Sequence, residues 1–203
     1  MRLFHTGFQE LPQPDLTHGR SSADFGRGFY TSPDEAFCLR WARTRRDAQT
    51  WLNVYDLDTE GLRVKVFTRD GEWFDYIDRN RAGYPDSLEG WDVIRGPIAN
   101  DTIYDVWGVT TGGALAPEIA RALLSLGPVY TQTVLKTPKA LARLQFRSAR
   151  VLDPASIAAW RQTIRREEET YQEALLRAVE LLTGTRLLDG DTESRPGDPG
   201  QTN

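Results

Sequence analysis

The sequence predicts an α+β fold, in which short strands and short helices follow one another without the regular alternation of a doubly wound sheet. Three observations support this prediction. Several segments alternate apolar and polar residues with a period of two, others place apolar residues at helical spacing, and Gly or Pro separates them. The 203 residues, 39% hydrophobic and with six Trp, suffice for a compact domain with its own core.

The first forty residues contain two strand-like segments, a long loop and a helix start. Residues 2–5 and 29–31 are strand-like, and the Pro- and Gly-containing segment 9–28 between them reads as a loop. Loops of this length are usually functional or mobile. Ser32 as N-cap, Pro33 at the first helical position and Glu35 three residues after the cap predict a helix that runs to about residue 49.

The period changes to two after that helix. Segments 51–57 and 62–67 flank Gly61 and predict a β-hairpin, with Leu62, Val64 and Val66 on one face. Further along the chain, the patterns predict strands at residues 91–95, 129–135 and 145–152, and helices at residues 72–81, 117–126, 138–144 and 154–188.

The predicted organisation is one domain with a helical extension. Residues 1–152 carry the mixed strands and helices, and residues 153–188 form a long helix with a charged middle. Residues 189–203 contain Gly, Pro, Asp and Thr without any hydrophobic residue, so we expect this tail to be disordered.

Charge and composition disfavour several classes of protein. The net charge of −4 weighs against strong sequence-independent binding to nucleic acid, although the arginine cluster at residues 40–46 keeps a nucleic-acid partner open. One Cys and two His argue against a disulfide framework and against a zinc site. We expect a cytoplasmic protein with no membrane partner, because the sequence has neither a transmembrane run nor a signal-peptide core.

Three fragments carry a pattern that bears on chemistry: His5-Thr6-Gly7, Asp24-Phe25-Gly26-Arg27-Gly28-Phe29-Tyr30, and Trp41, eleven residues after Tyr30. The pattern resembles the poly-ADP-ribose-polymerase-like and diphtheria-toxin-like ADP-ribosyltransferases. These proteins place a His beside a Gly at the end of their first strand, followed by a Phe-Gly-Lys-Gly-Ile-Tyr type segment and a second aromatic residue eleven positions later.

A second resemblance is to a bacterial family of otherwise uncharacterised proteins assigned to the same superfamily. Its members share Asp-Phe-Gly-x-Gly-Phe-Tyr and a later Gly-Pro-Ile-Ala-x-Asp, which appears here as Gly96-Pro97-Ile98-Ala99-Asn100-Asp101. The resemblance covers residues 3 to 150. It implies the split two-sheet α+β fold of ADP-ribosyltransferases and NAD as co-substrate.

The resemblance implies an NAD site. Tyr30 and Trp41 would grip the nicotinamide ring, and His5 would donate to the ribose hydroxyls on the adenosine side. Gly7 would let backbone groups approach the nicotinamide amide. Gly26 and Gly28 would allow a tight turn under the ligand, and Arg20 or Arg27 would pair with the pyrophosphate. Together with these, the implied NAD site contains the other residues of the matched fragments and of the loop before them: Thr6, Arg20, Asp24, Phe25, Gly26, Arg27, Gly28 and Asp101.

Each residue also has an ordinary structural interpretation. His5 alone would be a surface or capping residue, Tyr30 and Trp41 would be core aromatics, and the glycines would serve a turn. Arg20 and Arg27 would be solvated loop charges. Asp101 would cap or brace its loop, and these alternatives stay open.

The departure from the family pattern is Gln132. The triad of these transferases ends in a Glu on a late strand, and the matching strand here places Gln132 at that position. A Gln can hydrogen-bond a ribose hydroxyl, but it accepts no proton and supplies no negative charge. The alternative is an ordinary polar residue on the outer face of a strand. We also consider that Asp24 or Asp101 supplies the missing carboxylate.

These features predict an NAD-dependent mono-ADP-ribosyltransferase with His5, Tyr30 and Gln132 as its triad. The acceptor would be a macromolecule of unknown type. Such a protein could be a bacterial toxin with a neutralising protein partner, although no residue shows this. The alternatives are an NAD hydrolase and a catalytically silent NAD-binding or interaction module.

Overall fold

The computed structural model describes residues 1–19, 22–99 and 129–183. Within these ranges the chain forms two β-sheets and four helices. The first sheet has the strand order β1–β3–β7, and both of its strand pairs are antiparallel. It consists of β1 (Arg2–Gly7), β3 (Trp51–Leu57) and β7 (Leu144–Val151).

The second sheet has the order β2–β6–β5–β4. It consists of β2 (Phe29–Thr31), β4 (Val64–Val66), β5 (Val93–Pro97) and β6 (Thr131–Leu135). The β4–β5 pair is parallel, and the other two pairs are antiparallel. The prediction of an α+β class is confirmed.

The two sheets meet where β1 passes β2. An isolated antiparallel bridge joins Phe4 to Ser32: the Phe4 amide donates to the Ser32 carbonyl at 2.8 Å, and the Ser32 amide donates back at 3.0 Å. This bridge brings the end of β1, with His5, beside Tyr30 of β2. The junction therefore positions two predicted site residues that are far apart in sequence.

The predicted hairpin of residues 51–57 and 62–67 is wrong. Both segments contain strands, but β3 pairs with β1 and β7, whereas β4 pairs with β5 in the other sheet. Gly61, with a φ of 72°, turns the chain between the sheets instead of closing a hairpin. A period of two identifies a strand but not its neighbour, which is set by packing across the whole domain.

The helix after β2 starts later and is shorter than predicted. Helix α1 spans Glu35–Arg40, and its N-cap is Asp34, whose carboxylate accepts from the Phe37 amide. Ser32 does not cap it, because its hydroxyl donates to the Thr131 carbonyl at 3.0 Å and its backbone belongs to the sheet junction. The amide of Trp41 donates to Cys38, three residues back, which tightens the last turn and ends the helix.

The remaining described helices are close to their predicted positions. Helix α2 spans Gly71–Arg81, α3 spans Pro138–Ala142 and α4 spans Pro154–Thr183. The first turn of α4 is anchored, since Ile157 is only 1% exposed and belongs to the same cluster as Cys38 and Leu52. The helix predicted at residues 117–126 and the tail at residues 189–203 lie outside the described residues.

The buried side chains form three clusters that surround the sheet junction. Phe25, Trp73 and Ile77 belong to one, on the α2 side of the four-stranded sheet. Leu3 and Tyr55 belong to a second, which both sheets share. Several of the elements that line the site described next, among them β1, β2 and α1, contribute residues to these clusters.

Candidate functional site

A cavity of about 730 Å³ lies at the junction of the two sheets. Its walls come from β1, the loop before β2, β2 itself, α1 and the residue after it, the end of α2, the segment after β5, and β6. The lining combines aromatic and polar side chains with small ones: Phe4, His5, Thr6, Ser22, Ala23, Asp24, Tyr30, Thr31, Ser32, Phe37, Cys38, Trp41, Arg81, Ala82, Ile98, Ala99 and Gln132.

His5 is held in one orientation by a backbone partner. Its Nδ1 lies 2.8 Å from the carbonyl oxygen of Tyr30, and its ring lies 4.8 Å from the ring of Phe29. A carbonyl only accepts hydrogen bonds, so Nδ1 must carry the proton. Burial lowers the pKa of His5, which keeps the ring neutral at physiological pH. The other nitrogen, Nε2, is then an acceptor, so the expected donor role of His5 is corrected.

The hydroxyl group of Tyr30 is fixed by two hydrogen bonds to the backbone. Its phenol donates to the carbonyl of Gly26 at 2.7 Å and accepts from the amide of Phe25 at 3.0 Å. Burial raises the pKa of Tyr30, so the phenol stays protonated. The hydroxyl thus holds the loop before β2, and the ring contributes a wall of the cavity.

Helix α1 supplies the aromatic rim. Trp41 lines the cavity and is 48% exposed, and its ring meets the Phe37 ring edge-on at 6.1 Å. Phe37 stacks on Tyr130 at 4.6 Å with an angle of 11° between the planes. Phe37 and Trp41 therefore lie one turn apart on a shared face. Burial raises the pKa of the neighbouring Cys38 thiol to about 12, so Cys38 is no thiolate nucleophile at neutral pH.

Asp24 is the carboxylate of the cavity wall. Its Oδ1 accepts from Nε and Nη2 of Arg81 at 2.7 and 2.5 Å, and its Oδ2 accepts from the amide of Ala99 at 2.9 Å. Both side chains of the ion pair are largely buried. Such a pair holds the loop before β2 to the end of α2 and to the segment after β5.

Gln132 is oriented by Asp24. Its Nε2 donates to Oδ2 of Asp24 at 3.1 Å, and the residue is only 7% exposed. A carboxylate accepts hydrogen bonds and does not donate them, so the atom of the Gln132 amide that faces Asp24 must be the nitrogen and not the oxygen. Gln132 therefore offers its oxygen, Oε1, as an acceptor. It lies in the cavity wall and not on the outer face of the strand.

The structure brings six predicted residues to one cavity: His5, Thr6, Asp24, Tyr30, Trp41 and Gln132. Gly7 is next to the site without lining it, and a Cβ there would meet Nε2 of His5 at 3.4 Å. Phe25 is fully buried in the core beside Phe67 and Tyr76, so it supports the loop from behind.

The remaining motif residues face the other side of that loop. Gly26 and Arg27 line a separate cavity of about 280 Å³, together with Lys136. Gly26 has a φ of 66°, which favours glycine, and a Cβ on Gly28 would lie 2.6 Å from the carbonyl oxygen of Leu135. The glycines serve the turn, and Arg27 is not brought to the larger cavity. Arg20 and Asp101 lie outside the described residues.

Two contributors to the site are missing from the sequence-based prediction. Arg81 carries no local signal, because its partner Asp24 is 57 residues away. Phe37 also lines the cavity, but no motif in the sequence marks it as a site residue. Within the described ranges, no group of three or more His, Cys, Asp or Glu residues could hold a metal ion. None of the described helices combines the length and apolar character needed to cross a membrane.

Comparison with known proteins gives one match. The model of the family described as "Protein of unknown function (DUF3990)" matches residues 1–146, most of the chain, and the chain belongs to that family. The matched range contains β1 to β6 and every described residue that lines the larger cavity. Neither a curated protein nor a solved structure matches the chain.

Proposed function

We propose that this member of the DUF3990 family binds NAD in the larger cavity and transfers its ADP-ribose to a macromolecular acceptor. One observation carries the proposal: His5, Tyr30, Trp41 and Gln132, which come from four separate parts of the sequence, line the same cavity. The order of these residues along the chain, with Trp41 eleven positions after Tyr30, resembles the NAD site of ADP-ribosyltransferases.

The size and lining of the cavity support a ligand of this kind. Its volume of about 730 Å³ lies within the range of about 300–1,000 Å³ typical of small-molecule sites. Tyr30 and Trp41 offer ring surfaces to a nicotinamide, and stacking is worth about 0.5–1.5 kcal/mol beyond burial.

The polar groups suit ribose hydroxyls. In their neutral forms Nε2 of His5 and Oε1 of Gln132 both accept hydrogen bonds, and hydroxyl groups can donate to both. Both side chains are held in place by a second contact, His5 by the Tyr30 carbonyl and Gln132 by Asp24. Preorganised acceptors lose little conformational freedom when a ligand binds.

The transfer step needs little chemistry from the protein. The bond between the anomeric carbon of the ribose and the nicotinamide nitrogen breaks, and nicotinamide leaves with the electron pair. The acceptor nucleophile forms the new bond to that carbon, and its proton passes to solvent. Asp24 brings a negative charge into contact with Gln132, which favours the positive charge that develops on the ribose, although Arg81 offsets part of it.

A turnover assay tests the proposal. The full chain is mixed with NAD labelled in the adenylate part and with bacterial lysate, and label is sought on protein and on nucleic acid. We expect label on a macromolecule, together with free nicotinamide in equal amount. A variant with Trp41→Ala should lower both signals, whereas Tyr84→Ala, which removes a 60% exposed ring outside the cavity, should lower neither.

NAD hydrolysis is the second candidate, and Gln132 is the observation that favours it. Its amide cannot take a proton from an acceptor, so water could reach the ribose carbon in place of a macromolecule. Free nicotinamide without any labelled macromolecule would identify a hydrolase. Saturable NAD binding with neither product would identify a silent binding module and overturn the enzyme assignment.

A further inference from the structure

An arginine-rich turn borders the proposed NAD cavity. Four of the seven residues from position 40 to position 46 are arginines, in a chain whose net charge is −4. The turn begins at Arg40, the last residue of α1, and its second residue is Trp41 on the cavity rim. Positive charge is thus concentrated where an acceptor would approach, while the chain as a whole is acidic.

The backbone of the turn is held in place while three of its four arginines stay exposed. The Thr50 hydroxyl donates to the carbonyl of Arg43 at 2.5 Å, and an isolated bridge joins Arg45 to Ala48. Arg43, Arg45 and Arg46 are all exposed. Their positive charges are therefore presented from a defined loop.

Few acidic groups neutralise this turn. Arg40 pairs with Glu167 of α4 at 2.5 Å, and Arg45 lies 3.8 Å from Asp47. Among the described residues, neither Arg43 nor Arg46 takes part in an ion pair. The turn therefore keeps a net positive charge that a polyanion can use.

Aromatic rings accompany the arginines. The guanidinium of Arg45 lies 5.0 Å from the centre of the Phe8 ring, which is 38% exposed, and Phe8 follows the cavity residue Thr6 by two positions. Trp41 is also about half exposed. Exposed rings between cationic side chains are typical of surfaces that bind single strands, because unpaired bases stack on the rings while phosphates meet the charges.

We propose that the acceptor is a single-stranded nucleic acid that lies along Phe8, Trp41 and Arg43–Arg46 and reaches the cavity with an unpaired base or a strand end. The inference rests on the proposed function, since the strand is placed as the acceptor of ADP-ribose. A base nitrogen or a terminal phosphate oxygen forms the bond to the ribose carbon as the bond to nicotinamide breaks. A transferable proton on the acceptor passes to solvent. A duplex offers no exposed base face to the rings.

The first test is binding of a fluorescent single-stranded oligonucleotide of mixed sequence to the full chain, followed by anisotropy at several salt concentrations. The variant with Arg45→Gln and Arg46→Gln should bind more weakly. Its slope of log affinity against log salt should be smaller by about 1.4, since each phosphate contact with a single strand contributes about 0.7. The matched control is Arg63→Gln with Arg79→Gln, two exposed arginines that also lie over aromatic rings, those of Trp91 and Tyr84.

The second test uses labelled NAD with the same oligonucleotide, its duplex and an acidic protein as competing acceptors. Label on the single strand, lost in the Arg45→Gln, Arg46→Gln variant and kept in the control, supports the inference. No oligonucleotide binding, an equal effect of the control pair, or label only on the acidic protein overturns it. NAD titration in parallel distinguishes the two failures: a chain that binds the strand but not NAD contradicts the proposed function and with it the acceptor role of the strand, whereas a chain that binds and cleaves NAD without labelling the strand contradicts the acceptor role alone.

Discussion

The side chains of Gln132 and Asp24 are joined by a hydrogen bond of 3.1 Å, from the amide Nε2 to the carboxylate Oδ2, across 108 positions of the sequence. The contact links β6 to the loop before β2, and Arg81 and the Ala99 amide bind the same carboxylate. It explains in physical terms why an amide suits this place: a second carboxylate at position 132 would face Asp24 without a proton between them.

Replacing Gln132 by Glu should therefore weaken the protein instead of restoring a better catalyst. A hydrogen bond to a charged group, worth about 1.5–3 kcal/mol, is exchanged for repulsion between two carboxylates. Repulsion raises the pKa of the introduced carboxyl above its usual value of about 4.3, so the loss should be small near pH 4 and grow towards neutral pH.

Thermal unfolding across this pH range measures the effect of Gln132→Glu. The control is Gln145→Glu, an exposed position on β7 whose side chain accepts from Arg147. The control should unfold like the parent at every pH. A Gln132→Glu variant that is as stable as the parent at pH 7 is incompatible with the observed contact to Asp24.

The Asp24–Arg81 ion pair should be important for stability. The substitution Arg81→Met leaves the buried carboxylate without its guanidinium and should lower the free energy of unfolding by about 3–5 kcal/mol. Arg79→Met, two residues earlier and exposed, should cost no more than about 1 kcal/mol through its contact with the Tyr84 ring. Denaturant unfolding at neutral pH gives both values.

A double variant keeps this prediction testable if Arg81→Met fails to fold. Adding Asp24→Asn removes the buried charge whose guanidinium partner Arg81→Met takes away, so the double variant should be more stable than Arg81→Met alone. If the two substitutions are simply additive, the pair is not coupled and the assignment of Asp24 as the charged wall of the cavity fails.

His5 should titrate below its ordinary value of 6.5, because burial disfavours the charged ring. The unfolded chain then takes up a proton before the folded chain does. The stability contributed by His5 is complete above about pH 6.5 and is lost as the pH falls through the folded-state pKa. Nitrogen NMR of the imidazole should also show the proton on Nδ1 at neutral pH, because Nδ1 meets the Tyr30 carbonyl. A proton on Nε2, or a pKa above 6.5, contradicts this arrangement.

Tyr30→Phe should loosen the loop before β2 while it keeps the ring in the cavity wall. The phenol makes two backbone contacts, to Phe25 and Gly26, and each hydrogen bond is worth about 0.5–1.5 kcal/mol. We expect faster amide hydrogen exchange at Phe25 and a loss of about 1–3 kcal/mol in stability. Tyr84→Phe, at an exposed ring, should change neither value, and unchanged exchange at Phe25 in Tyr30→Phe counts against the loop-holding role.

The local sequence pattern is sufficient to predict some of the helices and strands, among them α2 and β6. Helix α2 is predicted at residues 72–81, where Trp73, Tyr76 and Ile77 stand at helical spacing, and the structure buries all three. Strand β6 is predicted within residues 129–135, and this fixes the position of Gln132. In α2 the apolar side chains at helical spacing are those that the core buries.

The failures concern relations between distant segments. The alternation in residues 51–57 and 62–67 identified two strands but not their partners, which lie in different sheets. Ser32 has the residue type of a helix cap, but the bridge to Phe4 places it in the sheet junction, and Asp34 caps the helix instead. Arg81 could not be found because its role exists only through Asp24.

The most direct test of the central claim is a calorimetric titration of the full chain with NAD, beside the Trp41→Ala variant. The proposed site predicts saturable binding of one NAD per chain. Loss of the Trp41 ring should weaken that binding by about 2- to 12-fold, the equivalent of 0.5–1.5 kcal/mol of stacking, with little change in stability because the ring is 48% exposed. A folded chain that binds no NAD at millimolar concentration, or one whose affinity is unaffected by Trp41→Ala, would contradict the assignment of this cavity.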